Sequence, residues 1–211
     1  MEKVNEMGRR VKEALSLRTY PLGVKFCRSV QEAEKVMAGA RVVRPLAAFN
    51  IRMPVCQVIN IARTYRWTLG VTSEDSWCVG GSAAMGLLDE FPEYLAADAQ
   101  YVGLNFKDVE VGRAAFEVLW NVYSAMKGTY AFFVGPLERI RFEPDVCLIY
   151  GTPTQIAKIA KAFAWCGAFP KMKFIGLASC SSISHAYLTG EPHVRPRTAE
   201  RCCSGRRRRT K

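Results

Sequence analysis

Apolar positions recur at helical spacing from the start of the chain: Val4, Met7, Val11 and Leu15 predict an amphipathic helix over 2–17, stopped by Tyr20-Pro21. Leu22 to Cys27 is mostly apolar and reads as a strand. Ser29 with Glu32 three residues later is a capping-box pattern for a helix through Met37, ended at Gly39. Val42 to Ile51 reads as extended and is interrupted by Pro45. Pro54 opens a helix over roughly 54–66, because proline at the first helical position loses nothing by lacking its N–H. Val58, Ile61, Ala62 and Tyr65 form its apolar stripe, with Gln57, Asn60 and Thr64 as a polar stripe beside it.

After Gly70 come a short acidic loop, Ser73-Glu74-Asp75, whose carboxylates are expected to face water, and a small-residue run from Cys78 to Gly86. Tyr101 to Phe106 reads as a strand, and Asp108 caps the longest helix, about 109–127, which Gly128 terminates. Short strands at 129–134, 137–142 and 146–150 follow, then a helix at 153–165, a strand at 172–178 and the loop Ser179-Cys180-Ser181-Ser182. Helices and strands alternate throughout, which predicts α/β layering, or a mixed α+β arrangement, in a single domain over 1–193.

Two stretches resemble each other. A strand and Pro54 lead into Cys56-Gln57-Val58-Ile59-Asn60-Ile61-Ala62-Arg63, with Cys78 following Cys56 by 22 residues. A strand and Pro153 lead into Thr154-Gln155-Ile156-Ala157-Lys158-Ile159-Ala160-Lys161, with Cys180 following Thr154 by 26 residues. The match predicts an internal strand–helix–strand repeat, with halves at about 42–90 and 144–190, whose loops face a shared cleft. Gln57 and Gln155 then sit at equivalent places on two related helices, where their amides can bond across the pseudo-axis or to a ligand between the halves.

The cysteines suggest the chemistry of such a cleft. A thiol where a strand gives way to a helix meets unpaired N–H groups and the positive end of the helix dipole, and both favour thiolate. Cys56, Cys78 and Cys180 fall at such places, and the small residues after Cys78 and Cys180 (Gly80, Gly81, Ser181, Ser182) let a ligand approach the backbone closely. Three thiolates at one cleft are the donor set of an iron–sulfur cluster with one open iron, and they also suit soft metals. Redox or lyase chemistry on a small molecule is the reaction class expected of that cleft. The alternative is a non-catalytic module for a small ligand or anion bound at the small-residue loops. Cys27 and Cys147, each inside an apolar run, read instead as buried small hydrophobes.

Composition narrows these classes without choosing among them. Of 211 residues, 49% are hydrophobic and 23% charged, which is ordinary globular usage and excludes a disordered, collagenous or coiled-coil chain. No apolar run reaches the roughly 18 residues of a membrane span, and the N-terminus lacks the apolar block of a secretory signal, so a cytoplasmic, non-membrane protein is expected. Of the net charge of +11, +7 lies between Val194 and Lys211, leaving a mildly basic body. The run Arg206 to Arg209 reads as a solvated end of a basic, disordered or aberrant tail over 194–211, so nucleic acid is not expected as a partner of the body. The only histidines are His185 and His193, which excludes a His-rich metal site, and no G-x-S-x-G or H-E-x-x-H motif anchors a hydrolase. His185, five residues after Cys180, reads as a surface or helix-packed side chain.

Several motifs in order resemble a known family. Tyr20-Pro21-Leu22-Gly23-Val24-Lys25-Phe26, Cys56-Gln57 with Ala62-Arg63, Cys78 with Gly80-Gly81, and Gly86-Leu87 are similar to the archaeal conserved region proteins, domain of unknown function 169. Pro136-Leu137, Glu143-Pro144-Asp145-Val146, the Pro153/Gln155 helix, Ala178-Ser179-Cys180 and Gly190-Glu191-Pro192 extend the resemblance over roughly 15–193. It supports the fold and the choice of residues and implies no reaction. The tail departs from the family pattern, and its composition resembles a shifted reading frame or a divergent extension.

Overall fold

Three strands gather on one central strand. The computed structural model of the chain describes residues 1–90, 108, 110, 111, 114, 123–168 and 179–194. In it β1 (Leu22–Cys27) pairs antiparallel with β3 (Ala131–Pro136) on one side and β4 (Val146–Leu148) on the other, and β2 (Leu69–Val71) extends the sheet beyond β3. The order is β2-β3-β1-β4, antiparallel at every ladder. β1 and β3 are the inner strands, and helices cover both their faces, which is why they read as near-continuous apolar runs.

On one face Leu22, Val24, Phe26, Phe132 and Val134 meet Val55, Val58, Ile59 and Ala62 of α4 (Val55–Tyr65) and Ile183 of α7 (Ser179–Thr189). On the other, Cys27, Ala131 and Phe133 meet Ala33 of α2 (Val30–Gly39), with Leu137, Ile140 and Phe142. The expected cap of α2 forms: the Ser29 hydroxyl accepts from Glu32 N–H, while the Glu32 carboxylate accepts from Arg28 N–H. α1 (Glu2–Ala14) lies across the turn after β3. Asn5 donates to the carbonyls of Leu137 and Ile140, and a Cβ at Gly8 would stand 2.7 Å from Leu137 Cβ.

Several expected elements differ. The stretch expected to be extended contains a short helix, α3 (Pro45–Phe49), because Pro45 has a preset helical φ and Leu46 N–H finds an acceptor in Asp75. Only Val43 is extended enough to bridge Leu69. The strand expected at 137–142 is a turn that buries Leu137, Ile140 and Phe142 on one side. The loop expected at Ser179-Cys180-Ser181-Ser182 is the start of α7. Tyr65, placed on the apolar stripe of α4, is 65% exposed, and Ile59 is buried in its stead. Cys27 is buried as expected, whereas Cys147 is exposed on the edge strand β4.

The expected strand at 101–106, most of the helix at 109–127, the strand at 172–178 and nearly all of the tail lie outside the described residues. Residues 123–126 are helical, and Gly128 follows them with φ +81°. Among the described residues, no helix is long and apolar enough to cross a membrane. The result is a mixed α/β single domain on a four-stranded antiparallel sheet.

Candidate functional site

Three of the helices start on the residues that the repeat singled out. Cys56 is the second residue of α4, Cys78 is the N-cap of α5 (Val79–Ala84), and Cys180 is the second residue of α7. α4, α5 and α7 contact one another pairwise, so three cysteines spread over 125 positions of sequence lie on one helical layer above the sheet. All three are partly buried. Cys78 Sγ accepts from Gly81 N–H at 3.4 Å, the contact expected of a thiol at a helix start. Cys180 packs against the main core together with Ala186 and Tyr187. Among the described residues, no group of three or more His, Cys, Asp or Glu side chains is placed to hold a metal ion.

Close packing explains the small residues of this layer. α5 is buried throughout its Gly80-Gly81-Ser82-Ala83-Ala84 stretch, and a Cβ at Gly81 would stand 3.1 Å from Val55 Cγ2 and 3.3 Å from Cys78 Sγ. Gly81 therefore admits the first turn of α4 at this spot. On α7, Ser181 and Ser184 are fully buried. The Ser181 hydroxyl bonds to that of Tyr123 at 2.9 Å, and the Ser184 hydroxyl donates to the Ala84 carbonyl at the end of α5. Ser82 of α5 likewise bonds to Ser76. Of these contacts, that of Ser184 with the Ala84 carbonyl joins α7 directly to α5.

The two glutamines have different positions and partners. Gln57 is exposed on α4. Gln155 completes the capping box of α6 (Pro153–Trp165), its Oε1 accepting from Thr152 N–H at 2.7 Å. Its Nε2 donates to the carbonyls of Leu15 and Ser16 at 2.8 and 3.0 Å. Both N–H donors are therefore engaged in tying α6 to the end of α1, which is a clasp within the fold rather than a group presented across a pseudo-axis.

Of two further polar groups at this site, Ser182 was selected from the sequence as a loop residue and His185 was not. Ser182 Oγ and His185 Nδ1 are buried from water with no hydrogen-bond partner among the described residues. The His185 and His193 rings lie 4.4 Å apart, so the chain's two histidines meet across the end of α7. Their separation in sequence carried no signal for this, since a helix and its exit turn fold them together.

Asp75, expected to face water, is completely buried. Its Oδ2 accepts from Arg44 Nε and Nη2 at 3.1 and 2.9 Å and from the N–H and hydroxyl of Thr72. Its Oδ1 caps α3 through Leu46 N–H at 3.1 Å. The available signal was Thr72 three residues ahead of Asp75, a capping-box spacing.

Sequence comparison places the chain among known proteins. A family model, DUF169, described as an uncharacterised ArCR, matches residues 10–211, running past residue 193 through the basic tail. The uncharacterized protein MJ0308 of Methanocaldococcus jannaschii is 32% identical over 111 residues, which are 52% of this chain and 46% of that protein. The match thus spans less than half the length of this curated relative. No solved structure matches the chain. With the family model matching residues 10–211, nearly the whole chain, the chain belongs to the DUF169 family.

Proposed function

We propose that the layer formed by α4, α5 and α7 is a thiol-lined site that binds a soft metal ion or an iron–sulfur cluster through Cys56, Cys78 and Cys180, in support of redox or lyase chemistry on a small molecule. The observation that carries this reading is the placement of all three cysteines at the starts of three mutually packed helices. Helix starts favour thiolate, the form that binds soft metals. Since the described residues contain no ready-made group of three ligands, loading the site draws the helix starts together or recruits a further donor. A repeat in which α4 and α6 correspond, each led by proline, and α5 and α7 correspond, each with a cysteine at its start, belongs to the same proposal.

Metal and sulfide analysis of anaerobically prepared protein tests it, with Cys56, Cys78 and Cys180 replaced by serine one at a time. The expected result is bound metal, with visible absorption if a cluster is present, lost in each variant. Metal-free protein in all preparations overturns it. A second reading, a metal-free site for a small polar ligand, is favoured by the buried Ser182 Oγ and His185 Nδ1 that lack partners. It predicts ligand binding by metal-free protein that Ser182→Ala and His185→Ala weaken and Cys56→Ser does not.

A further inference from the structure

The far end of α4 carries a different surface. Between Glu34 and Glu74 there is no acidic residue, while Lys35, Arg41, Arg44, Arg52, Arg63 and Arg66 all fall in that stretch. The same stretch exposes large apolar side chains: Phe49, Ile51, Tyr65 and Trp67 have 41%, 47%, 65% and 40% of their surface in water. The three rings form one group. The Phe49 and Trp67 rings stack at 5.7 Å with 13° between their planes, and Tyr65 meets Trp67 at 6.5 Å. Val43 bridges Leu69 in parallel, and Arg41 and Trp67 precede them by two residues on their respective segments.

Charge complementarity says what this face fits. Arg44 is paired with Asp75 and Arg66 with Glu138, but among the described residues exposed Arg41 is in no ion pair and exposed Arg52 bonds only to the Ser73 and Ser76 carbonyls. Carbonyl oxygens satisfy guanidinium donors without cancelling their charge. A second copy of the chain would bring like charges together here. An occupant with flat rings and a negatively charged backbone matches both features.

We infer that this aromatic, arginine-bearing face binds single-stranded nucleic acid, its bases stacking on Tyr65, Trp67 and Phe49 and its phosphates meeting Arg41 and Arg52. The inference is independent of the thiol site: Cys56 and Tyr65 lie at opposite ends of α4, about 14 Å apart along the axis at 1.5 Å per residue. It also differs from binding by the terminal arginine run, whose segment 194–211 contains no aromatic residue.

Titration of the full chain with a fluorescein-labelled twelve-residue oligothymidylate, followed by anisotropy, tests the inference. Binding is expected to weaken with salt, and Tyr65→Ala and Trp67→Ala are each expected to weaken it about tenfold. Arg41→Glu and Arg52→Glu weaken it as well and flatten the salt dependence. All four residues are exposed, and far-UV circular dichroism with a urea midpoint for each variant confirms that it is folded. Replacing Arg206 to Arg209 by serine leaves the dependence on Tyr65 and Trp67 in place. Three results overturn the inference: affinity unmoved by the aromatic variants, binding that vanishes with the arginine run alone, or equal competition by polyglutamate. Sedimentation in which the wild type dimerises and Trp67→Ala does not would assign the face to self-association instead.

Discussion

Gly86 and Gly128 share a left-handed backbone, at φ +76° and +81°, but not their surroundings. A Cβ at Gly86 would overlap the Met126 carbonyl, whereas one at Gly128 meets nothing within 4 Å. Gly86→Ala therefore combines backbone strain with a backbone clash and is expected to cost about 3 kcal/mol or more, against about 1 kcal/mol for Gly128→Ala. Urea unfolding of the two variants checks the difference. Asp75 is the other residue on which local structure depends. Asp75→Ala leaves Leu46 N–H, Thr72 N–H and Arg44 without their shared acceptor and is expected to cost about 3 kcal/mol by the same measurement. Cys27 shows what burial does to a thiol: desolvation, helped by the Glu32 carboxylate, raises its pKa from 9.0 to about 11. The folded state thus holds a proton that the unfolded chain releases first. Its stabilising contribution is complete below pH 9 and is lost as the pH rises from there to about 11. The stability difference between wild type and Cys27→Ala should narrow over that window in urea titrations.

At the scale of elements, the readable ones were those whose local chemistry and packing agree. β1, α2 with its Ser29 cap, α4 after Pro54 and α6 after Pro153 formed close to where periodicity and capping residues placed them. The misread elements depended on partners distant in sequence. α3 is capped by a carboxylate 29 residues away from Leu46, and the turn at 137–142 is apolar because α1 and β1 cover it. Tyr65 fits the helical stripe of α4, yet it stands in water in the aromatic group with Trp67. Gln155 joins both cases, since its local capping role was hidden by its resemblance to Gln57. Gln155→Ala removes a capping box and two clasping hydrogen bonds, so a loss of about 1–2 kcal/mol is expected. Hydrogen exchange should show faster opening of the α1 end at Leu15–Leu17 in that variant, with the sheet unaffected.

At the scale of the molecule, two helical layers enclose the sheet, and they differ in character. The α1 and α2 side is built around Cys27, Phe133 and the turn after β3. The α4, α5 and α7 side combines the main core with buried serines and three cysteines at helix starts. The small residues of this layer serve interhelical packing at Gly81 and Ser184, so enlarging them should loosen the whole layer. Gly81→Val is expected to be destabilised by about 2 kcal/mol, because Val55 and Cys78 must both give way. If Cys56, Cys78 and Cys180 work together, the same substitution should also lower metal uptake by protein that remains folded.

Periodicity, capping residues and the placement of proline and glycine by themselves determined the mixed α/β class and the buried inner strand, because these features act over a few residues, and the ordered motifs carried the resemblance to the family. Tertiary structure alone decided that the sheet is antiparallel, that Asp75 is buried, that Gln155 holds α1, and that His185 meets His193. Each of those outcomes joins groups across a chain reversal, and hydrophobic periodicity carries no information about which segments a reversal will bring face to face.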